Sequence, residues 1–540
     1  MSCGTVVSRL RVAGPVGLAA LLLTVTACVP PRPGPSPGPA PSGPGVLPSL
    51  PGPVVPGQGG FGTLVSWNDF VAIHLVVSPT GDVLMWDRVQ GLTSARRWNP
   101  ATGAFTDTPG LPLSLFCAFQ TRLPSGRLAV VGGTAYKAGN TGIDVMQFFD
   151  WGTNTWTKGP SLHTPRWYPT VIALPDGRIV TLGGQILDSG VMANLTELYS
   201  PATNTWTELP GLAESKPMGL YPRAILAPNG KVFVIKNAKG KSAYLDVDTQ
   251  QWTEVTPAPA HVAGTGMAMY ENGKILLYGT GDSATDSWVI DLNAAAPSWR
   301  KVGSLQFTRR KFSTVLLPDG RVMAIGGSTD GDSVIANAVL TPEIWDPTTE
   351  RWTTLPNLAV PRMYHSNALL LPDGRVVTAG GGRAGPAPNF PSSQLYSPPY
   401  LSMPNRPVIT GGPNVWTSGS SVNLAVRSAN GIHSVVLMGL PGVTHGLDTQ
   451  QRRLTLPVTS AYEPATGRIS VEVPSIKNAA PGHYYAIALD GRGVPSAAKI
   501  VQLVAGGGAA AVEAAVEAAP AAVDPNVPRQ VAVVEPREED

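Results

Sequence analysis

Cys117, Tyr168, Tyr221 and His365 share one spacing: each lies nine residues before the glycine of a recurrent turn, Gly126, Gly177, Gly230 or Gly374. Tyr364 stands one residue ahead of His365. The same count from Gly81, Gly273 and Gly320 reaches Ala72, Gly264 and Lys311. Thiol, phenol and imidazole groups bind metals and move protons when gathered, yet singly each serves equally well for packing. A common register is what sets these residues apart. If the segments that carry them are alike, one end of the fold collects a thiol, two or three phenols and an imidazole, with Tyr221 and Lys311 as further candidates to shape a pocket. One geometric difficulty stands against this. Strand alternation sends Tyr364 and His365 to opposite faces unless a bulge or bend intervenes.

The elements that would position these residues repeat. Seven turn signatures occur, from Pro79-Thr80-Gly81-Asp82 through Pro175-Asp176-Gly177-Arg178 to Pro372-Asp373-Gly374-Arg375, with glycines 43 to 54 residues apart. Asp-Gly and Asn-Gly suit the positive φ angles of a two-residue hairpin, and the flanking runs Val171–Leu174 and Ile179–Leu182 read as strands. A second element follows in most units, as in Asn154-Thr155-Trp156-Thr157, Asn204-Thr205-Trp206-Thr207, Gln251-Trp252-Thr253, Ser298-Trp299-Arg300 and Arg351-Trp352-Thr353. Its tryptophan is placed to pack one unit on the next. A period near 50 with strand–turn–strand content predicts an all-β, seven-bladed kelch-type β-propeller over 59–403. After Pro404 the repeat stops. Short alternating strands (Val422–Val426, Ser434–Met438, Ile469–Val473, Tyr484–Leu489) predict an immunoglobulin-like β-sandwich over 404–504.

Four separated motifs on this frame carry a resemblance. Leu115-Phe116-Cys117, Arg166-Trp167-Tyr168-Pro169, Arg362-Met363-Tyr364-His365-Ser366, and Thr444-His445 leading into Asp448-Thr449-Gln450-Gln451-Arg452-Arg453 resemble the galactose oxidase/glyoxal oxidase family of copper radical oxidases. The resemblance runs from about residue 60 to 504 and leans to the glyoxal oxidase branch. It implies a Cys117–Tyr168 thioether that carries a protein radical, one Cu(II)/Cu(I) ion held by Tyr168, Tyr364, His365 and His445, and Tyr364 as the acceptor of the substrate's hydroxyl proton. A tetragonal set of imidazole and phenolate with an open position suits Cu(II) better than zinc. The implied reaction is oxidation of a primary alcohol or small aldehyde, with O2 reduced to H2O2. One departure concerns an aromatic ring. Galactose oxidase stacks a tryptophan over its thioether just after the third blade's Gly-Gly, where this chain has Gly183-Gly184-Gln185-Ile186 and no aromatic, which leaves another blade open as the source of the ring. The remaining histidines, His74, His163, His261, His433 and His483, lack motif support and read as structural.

Composition bounds the alternatives. The 540 residues include 60 glycines and 54 prolines with only 14% charged residues, which excludes a helical bundle. A net charge of +3 with both signs scattered gives no footprint for nucleic acid. Arg9 and Arg11 precede the apolar run Val12–Val25, which reads as an export signal over 1–27. Small residues before Cys28 resemble the lipobox of bacterial lipoproteins, implying a lipidated Cys28, a proline-rich tether over 28–58 and a protein anchored at the cell surface, or otherwise secreted. With Cys3 and Cys28 so accounted for, Cys117 is the remaining thiol, and a thioether would use it. Residues 505–540, rich in Ala and Glu, read as a disordered tail. A monomer with a small-molecule substrate is expected. The competing reading is a surface-tethered propeller that binds glycan or protein without chemistry; it has no need of Cys117, Tyr168, Tyr364, His365 and His445 together.

Overall fold

The computed structural model describes residues 59–506 apart from 89–93, 112, 136–140, 188, 214–217, 237–239, 261, 263, 332–333 and 384–387. The chain divides into Met1–Gly45 and Val46–Asp540, and every described residue belongs to the second unit. The expected export segment, Cys28, the tether, His261 and all but the first two residues of the tail lie outside the described residues.

Seven antiparallel sheets follow one another along the chain, and among the described residues there is no α-helix. Each of the first six blades contains four consecutive strands; the third, for example, runs Thr170–Ala173, Ile179–Leu182, Thr196–Ser200, Thr205–Leu209. The seventh takes its outer strand from the far end of the propeller: Gly60–Phe61 pairs with Tyr396 and Ser397. Backbone hydrogen bonds therefore close the ring. The hydrophobic pattern explains the radial order. Inner strands such as Thr170–Ala173 and Ile179–Leu182 are buried on both faces and so are largely apolar, whereas outer strands such as Thr205–Leu209 are partly exposed and mix in polar residues. The first strand of each blade lies at the axis, where it packs on counterparts in neighbouring blades.

One local expectation needs refinement. In six of the seven signatures the turn is a three-residue loop rather than a two-residue hairpin. Leu174 N–H donates to Arg178 O (2.9 Å) and Gly177 N–H to Leu174 O (3.0 Å), and the glycine takes the positive φ (+87° at Gly177) while Asp176 does not. This is a tight turn closed by a glycine bulge. The aspartate instead braces the loop, its carboxylate accepting from the Arg178 N–H and guanidinium. The fifth blade alone keeps a two-residue loop, between Glu271 and Lys274. The repeated tryptophans do bridge blades. Trp299 Nε1 donates to Ser242 Oγ and Trp352 Nε1 to Ser287 Oγ, both at 2.9 Å and both one blade back.

Beyond the propeller, two sheets face each other around Trp416, Leu424, Leu437, Ile469 and Val471. They do not stop at the propeller's edge. Gly442–Thr444 leaves the sandwich and pairs with His74–Val76, becoming a fifth strand on the inner edge of the first blade.

Candidate metal centre

Six of the seven places found by counting back from the turn glycines have left-handed backbone: Cys117 (φ +57°), Tyr168 (+59°), Tyr221 (+44°), Gly264 (+77°), Lys311 (+54°) and His365 (+68°). A non-glycine residue there costs about 1–2 kcal/mol, so five of these positions carry strain that a simple strand start would avoid. The conformation reverses the chain just before each inner strand and turns the side chain onto the mouth of the axis. It also settles the Tyr364–His365 difficulty. Both residues precede the strand Ser366–Leu370, and the bend at His365 brings their rings into a stack at 3.9 Å instead of sending them apart. Backbone bonds tie the places together: Tyr168 N–H donates to Cys117 O (3.1 Å), Tyr221 N–H to Tyr168 O (2.8 Å) and Lys311 N–H to Gly264 O (3.2 Å).

Buried arginines anchor this rim. Arg166 Nη1 donates to Gly183 O, Arg309 Nη1 to Gly326 O and Arg362 Nη1 to Gly380 O, each reaching the glycine pair at the end of its blade's second strand. Arg166 and Arg309 are further paired with the fully buried Glu197 (2.9 Å) and Glu343 (2.6 Å). An arginine recurs two or three residues before the rim position in these blades, and that recurrence is the signal for an anchoring role that the family motifs alone do not convey.

The seventh place, Ala72, offers only a methyl group, and there the sandwich intervenes. The hairpin beginning at Gly442 delivers His445, itself at φ +52°, onto the same mouth. Asn367 clamps its tip, accepting from Gly446 N–H (3.0 Å) and donating to Ile73 O (2.6 Å). The following motif threads the axis. Thr449 Oγ1 donates to Val171 O, Gln450 Nε2 to Thr121 Oγ1, Gln451 Nε2 to Thr314 O and Arg453 Nε to Pro318 O. One short run thus engages inner strands or turns of several blades. Asp448, buried with its carboxyl accepting from Gly442 and Gln450 N–H, has its pKa raised to about 6, chiefly by burial.

The result is one cluster. Cys117 Sγ lies 3.3 Å from His445 Nε2, and the metal-ligating atoms of Cys117, His365 and His445 fall within 4.8 Å of one another. The Tyr168 and Tyr364 hydroxyls are directly hydrogen-bonded, and the Tyr168 ring packs edge-on against His445 at 5.1 Å. His365 Nδ1 meets Gly382 O at 2.6 Å, which fixes the ring and leaves its buried Nε2 without a partner. Burial pushes the thiol and both phenols up and holds His365 down to about 3. The same cause takes His445 well below the ordinary imidazole value. Neutral imidazoles with an orphaned buried nitrogen, facing two phenols, form a donor set that suits a copper ion. Tyr168 and His365 are buried, whereas Tyr364 and His445 are partly exposed, so the cluster opens to solvent on the Tyr364 side.

All five residues singled out in the sequence meet here, and Tyr221 and Lys311 join them. Tyr221 Oη lies 3.3 Å from His445 Nδ1 and donates to Ala118 O; Lys311 Nζ lies 4.2 Å from the centre of the Tyr364 ring. The aromatic neighbour of the Tyr168 ring comes from the same blade. Trp167, the immediate neighbour of Tyr168, places its indole 4.4 Å from the Tyr168 ring at 58°. His74 is structural, stacked on Trp86 at 4.3 Å and held by Gln120. His163 pairs with Glu197 away from the cluster.

A seven-bladed propeller whose C-terminal sandwich returns a histidine to the axis, opposite a thiol and two phenols, has the architecture of a copper radical oxidase. Comparison with known proteins agrees. Residues 406–503 match the family described as "Galactose oxidase-like, Early set domain", and residues 282–386 match "Glyoxal oxidase N-terminus". "Galactose oxidase" of Gibberella zeae is 29% identical over 498 residues, covering 83% of this chain and 71% of that one. "Aldehyde oxidase GLOX" of Vitis pseudoreticulata is 30% identical over 447 residues, covering 72% and 82%. A solved structure described as a "novel fungal alcohol oxidase with catalytic diversity among the AA5 family, in complex with copper" shares the fold, with a TM-score of 0.72 at 24% identity over 83% of this chain and 100% of that one. The chain belongs to the galactose oxidase/glyoxal oxidase family of copper radical oxidases.

Proposed function

We propose that this protein oxidises primary alcohols or hydrated small aldehydes by two electrons and passes them to O2. The overall reactions balance as RCH2OH + O2 giving RCHO + H2O2, and RCH(OH)2 + O2 giving RCOOH + H2O2. The observation that carries the reading is the convergence of Cys117, Tyr168, Tyr364, His365 and His445 from four distant segments, with His365 Nε2 buried and unpartnered. Tyr168, Tyr364, His365 and His445 would hold one copper ion. Bound there, copper supplies a one-electron couple and acidity toward a substrate hydroxyl.

The protein's own groups divide the remaining work. Tyr364 Oη, partly exposed and hydrogen-bonded to Tyr168, is placed to receive the hydroxyl proton, the role of a general base. The Tyr168 ring, joined to Cys117 by a thioether, is the residue to be oxidised by one electron. Forming that link removes one hydrogen from the thiol and one from the ring, and O2 leaves as H2O2. Burial, Trp167 and Tyr221 exclude water from the Tyr168 ring. Gly382 O holds His365 in the tautomer that turns a bare Nε2 to the cluster.

The unlinked thiol is itself a soft ligand within the cluster, so a site of one thiolate and two imidazoles is the competing arrangement. Copper stoichiometry separates the two. Retention of one copper in Cys117→Ser, and its loss in His365→Ala and His445→Ala, supports the assignment; retention in both histidine variants places the ion elsewhere. Turnover is tested by O2 uptake and peroxide release with glycolaldehyde, glyoxal and methylglyoxal, the absence of peroxide across alcohols and aldehydes contradicting the oxidase reading. We further propose export and lipid anchoring through Cys28. Equal membrane retention of Cys28→Ser would contradict the anchor.

A further inference from the structure

The fifth blade breaks the repeat. Six of the seven turn signatures begin with proline and close a three-residue loop, whereas Glu271-Asn272-Gly273-Lys274 begins with glutamate and keeps a two-residue loop. An open cleft of about 550 Å³ lies at that departure, between the turns of the fifth and sixth blades, with Arg453 of the sandwich on its wall. Small-molecule sites occupy about 300–1,000 Å³, so the size suits a ligand. The cleft is at the end of the propeller opposite the candidate metal centre. The strand Gly266–Glu271 separates it from the rim place at Gly264 by about 20 Å.

Ion pairs fix the frame of this cleft. Glu271 accepts from Arg453 Nη1 (2.5 Å) and Thr455 N–H (2.9 Å), and Arg300 grips Glu350 with both Nη groups, at 2.7 and 2.5 Å. Asp319 accepts from the Arg321 guanidinium. Two charges on the wall are left over. Lys274 and Asp291 are partners across neighbouring strands, and the corresponding pair in the fourth blade, Lys231 and Asp246, forms an ion pair at 3.0 Å. In the fifth blade the pair stays open, and Lys274 Nζ has no hydrogen-bond or ion-pair partner among the described residues. Asp291 commits one carboxylate oxygen, to Asn293, and leaves the other free. The hydroxyls of Tyr270, Ser298 and Thr348, also on the cleft, have no partner among the described residues either. Burial, then the carboxylates of Glu350 and Asp291, push the Tyr270 phenol up to about 12, so it keeps its proton and donates.

We propose that this cleft is a second ligand site, for a neutral saccharide, in which one ligand hydroxyl bridges Lys274 and Asp291 while others meet Tyr270, Ser298 and Thr348. A hydroxyl both accepts and donates, so a single one satisfies the ammonium and the carboxylate together. A neutral ligand follows from the charge balance: with Arg321 counted, Lys274, Arg300 and Arg453 match the carboxylates of Glu271, Asp291, Asp319 and Glu350. A hydroxyl-rich one follows from the walls, which are mostly polar. Because cleft and metal centre are at opposite ends of the propeller, a saccharide held here leaves the catalytic mouth open. The site does not depend on the oxidase reading.

The test is calorimetric titration of the purified protein with maltotetraose, cellotetraose, mannotetraose and xylotetraose, in wild type, Lys274→Met, Asp291→Asn and Ser298→Trp. The expected result is saturable binding of at least one tetrasaccharide by wild type. Lys274→Met and Asp291→Asn each remove one charge-assisted bond and should weaken that binding by about 10- to 100-fold. Ser298→Trp fills the cleft and should abolish it. Copper uptake and denaturant unfolding should be unchanged in all three variants. Lys274 and Ser298 are exposed, so their variants keep the test in force should Asp291→Asn fail to fold. Absence of binding by all four tetrasaccharides overturns the inference, and so does binding that Lys274→Met and Ser298→Trp leave intact. Peroxide release decides the oxidase reading separately, so either can fail while the other stands.

Discussion

Adding one methyl group at Gly446 tests whether the sandwich hairpin delivers a metal ligand. Gly446 follows His445 directly, at φ +75°, and a Cβ there collides with the Phe312 carbonyl oxygen and lies 2.9 Å from its carbon. Ordinary carbon contacts begin near 3.5 Å, so the tip must retreat by at least about 0.6 Å from the inner strand of the sixth blade. Metal–ligand distances tolerate only about 0.2 Å. The left-handed backbone adds about 1–2 kcal/mol of strain for alanine. Gly419, also at φ +75° but with nothing within 4 Å of an added Cβ, supplies the control: Gly419→Ala carries the backbone strain without the collision. Gly446→Ala is expected to weaken copper binding by about 10- to 100-fold, the cost typical of a displaced ligand support, while Gly419→Ala leaves it unchanged. Competitive titration against a chelator measures both, with circular dichroism reporting the fold. Wild-type copper affinity in a folded Gly446→Ala protein refutes the assignment of His445 as a ligand seated by this hairpin.

Cys117→Ser should still take up one copper ion yet lose most turnover, since the unmodified phenol is the harder group to oxidise; full activity would remove the thioether from the mechanism. Tyr364→Phe should slow substrate deprotonation, lowering kcat and kcat/KM together, as measured by O2 uptake. Glu197→Gln leaves Arg166 buried without a counter-charge and should cost about 3–5 kcal/mol in denaturant unfolding; a change below about 1 kcal/mol would show that the carbonyls of Gly183 and Leu195 suffice. In the copper-free protein, His74 and His365 (about 3) and His483 (about 4) stay neutral where unfolded histidines near 6.5 gain protons, so stability falls as pH drops below about 6.5. Asp448, raised to about 6, opposes this by holding a proton in the native state. His445, which burial also holds well below the ordinary imidazole value, stays neutral with them, so the net loss between about pH 6.5 and 5 is roughly 5 kcal/mol, and unfolding free energies flat across that range would contradict the neutral, buried histidines.

The register of Cys117, Tyr168, Tyr221, Lys311 and His365 is legible in the sequence because a propeller repeats one backbone path, so a fixed count from the turn glycine finds the same place in each blade. The left-handed conformation at that place is not legible. No residue type announces it, for a cysteine, two tyrosines, a lysine and a histidine all adopt it under the pull of the buried arginines and the rim hydrogen bonds. Sequence also presents Ala72 as an equal member of the ring, whereas its methyl marks the blade where the sandwich hairpin enters. That insertion rests on contacts such as Thr444 to Ile73, 371 residues apart, and periodicity carries no information about it. His445 is reached through the Asp448–Arg453 motif alone, and the reason for the motif, four side chains that reach three different blades, emerges only in three dimensions. Trp167 escapes sequence reasoning as the ring beside Tyr168 because adjacent residues in a strand point apart; the bend at Tyr168 brings them together.

Under the proposed function, Cys117 and Tyr168 become one redox group beside a copper ion held by His365 and His445. Intact-mass measurement with peptide mapping, after copper and O2 treatment of the purified protein, tests it most directly. The expected result is the loss of two hydrogen atoms, a joined pair of peptides bearing Cys117 and Tyr168, and a thiol no longer open to alkylation. An unchanged mass with an alkylatable Cys117 in protein that binds copper and turns over substrate would contradict it.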